Sequence, residues 1–373
     1  MTTAPNAVTT PPTKADLSDR KVVIVSGAGA AHLLGADRDV PLMTEWADFL
    51  IKELDTVERG LARAIGVHSG ASGPEFEEAL GLFLEWVQAF QLNKKFAAVG
   101  MEGLAGTRPE ITNWLARSEQ NSARVIEELW ASLYRHFKAD TIDRDKAQKA
   151  YARLDEALGG VLVPKKVATT NYEQSAEIGF EAINYTVKDG FRSVSWRTPT
   201  FEPAGLGSWE GTLASVSVLH LHGATGWYRR DGTVFRQAPD QDYNATLGVP
   251  VILPPDPKKN PLNDATVAGL WSEFQSALAS ATHVLVLGHS LHDPALTRQL
   301  RDASGRGVHV LIAGIQPSNA EIPDGLIVEL EFGPDMPPPP WGREWLETGK
   351  LSSTIPAGTP ATITSSQSRS RRH

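Results

Sequence analysis

Short apolar segments that end in glycine or small polar residues are the feature that most constrains the fold of this chain. KVVIVSGAG at 21–29 is such a segment, and others follow at KKVATT (165–170), VSVLHLHG (216–223), VPVIL (249–253), HVLVLG (283–288) and HVLIAG (309–314). Continuous apolar runs of this kind are typical of strands that are buried on both faces of a parallel sheet. Helical patterns lie between several of them, notably at 265–281 and 293–304. This alternation predicts an α/β fold, namely a Rossmann-like, doubly wound parallel sheet.

The segment from Thr44 to Gly159 has a different pattern. Apolar residues recur at helical spacing behind Thr44, which is suited to cap a helix, and again from Phe76 to Phe90. Residues 120–137 and 144–158 have the pattern of two more amphipathic helices. Strand patterns are nearly absent. We therefore predict a large all-helical insert at 44–159, between core segments at 21–43 and 160–332.

The two ends of the chain have the composition of flexible tails. Residues 1–20 are rich in Thr, Pro and Ala, and residues 347–373 are rich in Ser and Thr. A single domain is therefore expected at 21–346. Near its end, WGREWLE follows a run of prolines and is expected to pack back as a short helix. Within the domain, RRDGT at 229–233 is typical of a hairpin turn.

Composition excludes several kinds of site. The chain has no cysteine, which removes thiolate nucleophiles and every cysteine-based zinc site. The net charge of −8 argues against a broad nucleic-acid surface, so we expect no direct binding of nucleic acid. No signal-peptide pattern and no apolar run of membrane-spanning length occurs, so no membrane association and a cytoplasmic location are predicted.

The first candidate site residues follow the strands at 21–26 and 165–169. Closely spaced glycines in SGAGAAHLLG (26–35) let backbone amides approach a phosphate at a helix N-terminus. His32 occupies the place of the third glycine of a dinucleotide motif, so a tight structural turn is an equal alternative. In VATTNYE (167–173), Asn171 is either a residue of a reactive site or the cap of the following helix.

Two further strand ends carry histidine, serine and aspartate. In LHLHG (219–223), His222 stands at a strand end and is suited to act as a general base; a hydrogen-bonded structural role is the alternative for His222 and has more weight for His220. No third ligand accompanies the two histidines, so no metal site is predicted. In GHSLHDP (288–294), Asp293 before a proline has the pattern of an ordinary helix start.

Taken together, GAG, TTNYE, LHLHG and GHSLHDP occur in an order that resembles the sirtuin-like NAD-hydrolysing domains of bacterial antiphage defence systems. The resemblance covers roughly residues 20–317. It implies that Asn171 and His222 form the catalytic pair and that NAD binds as the substrate without a metal. The NAD-binding residues that follow from it are Gly27, Ala28, Gly29, Ala30, Thr170, Gly288, Ser290 and Asp293.

The chain also departs from the sirtuin pattern. It lacks the four-cysteine zinc module of protein-deacylating sirtuins, and Ala31 stands where a serine is usual. Glu173 replaces the usual aspartate, and Ala313 occupies the place of an asparagine near the adenine ribose. The missing zinc module and the predicted helical insert favour hydrolysis of NAD over deacylation of lysine.

The function that the resemblance implies is cleavage of NAD+ to nicotinamide and ADP-ribose, which would deplete NAD during abortive infection. An NAD-dependent protein deacylase is one alternative. A non-catalytic nucleotide-binding sensor or scaffold is another. Because a free NADase would harm a resting cell, we expect control by homo-oligomerisation or by a separately encoded partner, such as a translocase-type ATPase or an Argonaute-like protein.

Overall fold

The computed structural model describes residues 17, 19–30, 78–81, 118–137, 142–192, 200–210, 214–238, 241–253, 261–314, 322, 325–330, 341–351 and 361–365. The helical patterns predicted between Thr44 and residue 117 lie outside the described residues, apart from 78–81, which are helical. The two later helices of that segment are confirmed, as the bounds of α1 and α2 below show.

The strands in chain order are β1 (Val22–Ser26), β2 (Lys165–Thr169), β3 (Thr186–Lys188), β4 (Phe191–Arg192), β5 (Thr200–Phe201), β6 (Ser215–His220), β7 (Gly223–Arg230), β8 (Thr233–Arg236), β9 (Val249–Ile252), β10 (His283–Leu287), β11 (His309–Gly314), β12 (Leu326–Leu330) and β13 (Ala361–Ser365). The helices are α1 (Ser118–His136), α2 (Arg144–Ala157), α3 (Ser175–Ala182), α4 (Ala265–Ala279), α5 (Pro294–Gly305) and α6 (Trp341–Thr348).

The larger sheet has the strand order β13-β12-β11-β10-β1-β2-β6-β3. Among the described strands of this sheet, every pairing is parallel except that of β12 with β13. In register, Ser26 pairs with Thr169 on one side and with Leu287 on the other, so the carboxyl ends of β10, β1 and β2 are level. The predicted α/β fold with a parallel sheet is confirmed.

Helices pack on both faces of this sheet. Within β1, Val23 and Val25 belong to an apolar cluster with residues of α4 and α5, whereas Val22 and Ile24 belong to a cluster with α2, α3 and α6. Since successive strand residues point to opposite faces, a strand covered on both sides must be apolar throughout. This explains the continuous apolar runs in the sequence.

The smaller sheet is antiparallel, with the order β4-β5-β8-β7-β9. It contains VPVIL, which we had placed in the parallel sheet, so that assignment is wrong. Pro250 lacks an N–H group for a strand ladder, and β9 accommodates it as the last strand of the order. The hairpin predicted at RRDGT is confirmed between β7 and β8, where Asp231 and Gly232 both have positive φ.

Two segments assigned to flexible tails contain ordered residues. Leu17 is buried in the cluster beneath α2, and Ala361–Ser365 forms β13 on the outer edge of β12. The three consecutive β-branched residues of ATITS suit a strand, and the overall Ser- and Thr-rich composition concealed this signal. The short helix expected at WGREWLE is confirmed as α6, in which Trp345 and Leu346 are fully buried. Within the described part of the chain, no helix combines the length and the apolarity needed to cross a bilayer.

Candidate functional site

The residues singled out in the sequence follow the carboxyl ends of neighbouring strands. Residues 27–30 follow β1, Thr170 and Asn171 follow β2, His222 follows β6, and residues 288–293 follow β10. These strands are consecutive in the sheet, in the order β10-β1-β2-β6. The chain runs from β1 to β2 on one side, while β10 lies on the other side of β1. Ligands of open parallel sheets bind at such reversals of strand order.

Asn171 is held by hydrogen bonds that its side-chain amide nitrogen and its backbone nitrogen donate. Its Nδ2 donates to the carbonyl oxygen of Gly27 at 3.1 Å and to Oε1 of Glu173 at 2.8 Å. Its backbone N–H donates to Oγ1 of Thr169 at 3.0 Å. Both amide hydrogens are therefore used inside the protein. No group among the described residues donates to Oδ1 of Asn171, so Oδ1 is the atom that can accept a hydrogen bond from a ligand.

The helix-cap alternative for Asn171 does not hold. Helix α3 begins at Ser175, and its N-cap position is Gln174, which makes no side-chain cap bond. Glu173 supplies the bond instead, because its Oε2 accepts from the backbone N–H of Ser175. Burial raises the pKa of Glu173, and the hydrogen bonds from Ser175 and Asn171 oppose that rise. Glu173 is therefore a buried acceptor that fixes the orientation of the Asn171 side chain.

His220 lies beneath Asn171 and is fully buried. Its Nδ1 donates to the backbone oxygen of Asn171 at 3.2 Å, and its Nε2 lies 2.6 Å from Oε1 of Glu177. Burial alone would lower the pKa of His220, but the charge of Glu177 and the two hydrogen bonds outweigh that effect, and the pKa is raised. The structural role favoured for His220 therefore agrees with its position.

His222 pairs with a residue that follows β10, on the far side of β1 and β2. Its Nε2 lies 3.0 Å from Oδ2 of Asp293, and both side chains are buried, with exposures of 6% and 7%. Oδ1 of Asp293 accepts from the backbone N–H groups of Ala295 and Leu296, so Asp293 is also the predicted cap of α5. The sequence pattern predicts the cap and gives no sign of the pairing with His222.

The glycine turn after β1 packs against the glycine turn after β10. The amides of Gly27, Gly29 and Ala30 donate to the carbonyl oxygens of Leu287, Gly288 and Gly27, respectively. A Cβ atom on Gly27 would lie 2.6 Å from Cα of His289, and one on Gly288 would lie 2.2 Å from the backbone nitrogen of Ala30. Close contact between two backbones therefore requires these glycines.

This arrangement differs from the expectation that the amides of residues 27–30 hold a pyrophosphate. Three of those amides already have acceptors within the protein. The amide of Ala28, an exposed residue, has none among the described residues. Ser290 is likewise exposed, while Thr170 donates its amide to the oxygen of Ser26.

The turn after β10 contains an unusual backbone conformation. Leu291 has φ of 58° although its side chain is buried. Residues other than glycine adopt this left-handed region uncommonly, and such outliers cluster at functional sites. The backbone N–H of Leu291 donates to Nδ1 of His289 at 2.8 Å, and Oγ1 of Thr297 donates to the oxygen of Leu291 at 2.8 Å. These bonds hold the turn in place.

No set of three or more His, Asp or Glu residues in the described ranges is arranged to hold a metal ion. His32, which was considered with the first glycine turn, lies outside those ranges. A search against protein-family models finds no match for this chain, and a search of curated proteins finds none.

Proposed function

We propose that this protein is an NAD+ hydrolase that cleaves the bond between nicotinamide and ribose at the carboxyl ends of β10, β1, β2 and β6. The observation that carries the proposal is that two polar side chains follow the adjacent strands β2 and β6: Asn171, whose amide hydrogens are both used inside the protein so that Oδ1 is left for a ligand, and His222, which is paired with Asp293. Both stand at strand ends, where nucleotides bind to doubly wound sheets. In this proposal the sheet is a Rossmann-like core and residues 44–159 form its helical insert.

Cleavage of this bond requires no general acid. Positive charge develops on the ribose, while the departing nicotinamide changes from a pyridinium cation to a neutral molecule. The reaction therefore needs orientation, a water-poor site and an activated nucleophile. Oδ1 of Asn171 accepts a hydrogen bond from a ribose hydroxyl or from the attacking water, and its fixed amide group does so without rearrangement.

His222 acts as the general base. The oxygen of water forms a bond to the anomeric carbon of the ribose, and the electrons of the carbon–nitrogen bond pass to nicotinamide. The proton lost by the water moves to His222. General-base assistance of this kind contributes on the order of 10²- to 10⁴-fold in rate.

The rest of NAD lies along the two glycine turns. Gly27, Gly29 and Gly288 are packed against backbone of the other turn and Ala30 is buried, so the two turns offer NAD only their outer surface. The Ala28 amide and the Ser290 hydroxyl are the donors on this surface that suit phosphate oxygens, and Thr170 adjoins the ribose-facing Asn171. This is a smaller set of donors than a dedicated phosphate loop provides.

The cellular role that follows by analogy with the sirtuin-like defence domains is depletion of NAD in antiphage defence, in the cytoplasm. Such an activity needs control. We propose that homo-oligomerisation or a separately encoded partner, of the translocase-type ATPase or Argonaute-like class, supplies it.

The test is incubation of the purified full-length chain with NAD+, followed by chromatographic analysis of the products. The proposal predicts equimolar nicotinamide and ADP-ribose, and a loss of about 10²- to 10⁴-fold in rate for His222→Ala. An acyl-lysine peptide added in a parallel reaction tests the deacylase alternative, since its deacylation with formation of O-acyl-ADP-ribose would replace hydrolysis. NAD that binds but stays intact would contradict the proposal and favour the sensor alternative.

A further inference from the structure

Asp293 reaches His222 from a distant strand. It follows β10, whereas His222 follows β6, and β1 and β2 lie between these strands in the sheet. Neighbouring strands are about 4.8 Å apart, so β10 and β6 are separated by roughly 14 Å. The segment Gly288–Asp293, here called the strap, therefore extends from the end of β10 over that of β1 toward β6, and the two side chains bridge the remaining distance.

The strap is seated on the turn after β1. The N–H of Gly29 donates to the oxygen of Gly288 at 2.9 Å, and the close approach of His289 leaves no space for a Cβ atom on Gly27. The left-handed Leu291 then redirects the chain so that Asp293 can begin α5. The placement of Asp293 therefore depends on the glycines of both turns and on the left-handed conformation of Leu291.

The two oxygens of the Asp293 carboxylate have different partners. Oδ1 accepts two N–H groups at the start of α5, at 2.9 and 3.1 Å, and Oδ2 lies 3.0 Å from Nε2 of His222. A cap needs only one oxygen. Asp143, the cap of α2, accepts its two N–H groups with Oδ1 alone. The contact of Oδ2 with His222 is therefore additional to capping.

We propose that Asp293 is a positioning residue that orients the imidazole of His222 and keeps its proton on Nε2. Nδ1 then carries the lone pair that accepts the proton from water in the NAD hydrolysis proposed above, on which this inference rests. Because the helix N–H groups hold the carboxylate on its other oxygen, Asp293 cannot turn away from His222. A carboxylate that fixes the tautomer of a histidine in this way is a known device for preparing a base.

The variant that tests this inference is Asp293→Asn. Asparagine caps helices as well as aspartate does, so α5 keeps its N-terminal bonds through Oδ1. The amide nitrogen then faces Nε2 of His222 and, being a donor, requires Nε2 to be the acceptor. The proton moves to Nδ1, and the rate of nicotinamide release is expected to fall by about 10²-fold or more.

The matched control is Asp143→Asn. It makes the same change at a cap that contacts no histidine in the described structure. Its rate of nicotinamide release should stay within about twofold of the wild type. Thermal unfolding of both variants is recorded alongside, and a comparable melting temperature for both is expected because both retain their caps.

A second readout does not depend on activity. ¹⁵N NMR of the histidine side chains at pH 8, with His222→Gln to assign the signal, reports which nitrogen carries the proton. The inference predicts an Nε2–H imidazole in the wild type and loss of that form in Asp293→Asn. An unchanged tautomer, or a rate within about threefold of the wild type, would overturn it. If the wild type fails to cleave NAD, the proposed function is wrong, and the NMR comparison still decides whether Asp293 sets the state of His222.

Discussion

At the scale of single residues, Asn171 depends on a neighbour that its own motif supplies. Glu173 stands two positions later, and its carboxylate accepts both from Nδ2 of Asn171 and from the N–H of Ser175. The first bond directs Oδ1 of Asn171 away from the interior, and the second ties the pair to the start of α3. A glutamate in this position, one methylene longer than the aspartate of the sirtuin pattern, therefore suits a support role.

Glu173→Gln tests this support. Glutamine retains one acceptor oxygen, but its NH₂ group must then face either Nδ2 of Asn171 or the N–H of Ser175, which are both donors. Leaving a buried donor without an acceptor costs about 1–3 kcal/mol in the free energy of unfolding. We expect a loss of that size in urea unfolding and a fall of about tenfold or more in nicotinamide release. Glu181→Gln, at an exposed position of the same helix, is the control and should change neither. Full activity and stability of Glu173→Gln would refute the support role.

At the scale of elements, α6 packs at the amino ends of the parallel strands, opposite to the candidate site at their carboxyl ends. Nε2 of His283, the first residue of β10, donates to the backbone oxygen of Trp345 at 3.2 Å, and the two rings meet edge to face at 4.8 Å. Burial lowers the pKa of His283 to about 4, and the charges of His309 and Arg20 add to that effect. The neutral imidazole is therefore part of the packing of α6.

The stability of the protein should consequently fall in weak acid. The pKa of His283 is about 6.5 in the unfolded chain and about 4 in the folded protein. The contribution of neutral His283 to the free energy of unfolding is therefore fully present above pH 6.5 and is lost as the pH falls from 6.5 to 4. The pKa difference corresponds to up to about 3 kcal/mol. Urea unfolding at pH 7 and pH 4.5 should show a smaller loss for His283→Gln than for the wild type. Equal losses in the two proteins would contradict this account.

A comparison of the predicted strands with the observed ones shows how far sequence patterns predict this structure. Apolar runs identify strands well, because burial on two faces leaves little choice of residue, and β1, β2, β6, β10 and β11 all fall where the runs are. VPVIL shows the limit of this approach, since an apolar run does not reveal which sheet receives it. Only its proline pointed away from the interior of a parallel sheet.

In the candidate site, features that depend on neighbouring residues were predictable from the sequence, and contacts between residues far apart in the chain were not. The cap at Asp293 was predictable because it depends on its immediate neighbours, and the placement of Asn171 and His222 at strand ends was predictable from the apolar runs before them. The contact between His222 and Asp293 was not predictable. These residues are 71 positions apart in the sequence and meet only because the strap extends from β10 toward β6. The glycines of residues 27–29 were associated with phosphate, and the contacts they make belong to the strap.

At the scale of the whole molecule, the parallel sheet separates two tasks. Asn171, His222 and Asp293 lie in three different loops at the carboxyl ends of the strands. His283 and α6 pack together at the amino ends. We propose that these side chains hydrolyse NAD and that the sheet holds them in register.

The most direct test is the rate of nicotinamide release from NAD+ by the purified full-length protein and by Asn171→Ala, compared at equal concentration and with unfolding curves recorded for both. We expect steady release by the wild type and a loss of at least about 10²-fold in the variant, without a change of fold, because we propose that Oδ1 of Asn171 accepts a hydrogen bond at the ribose. Equal rates in the two proteins, or no release by a wild type that binds NAD, would contradict it.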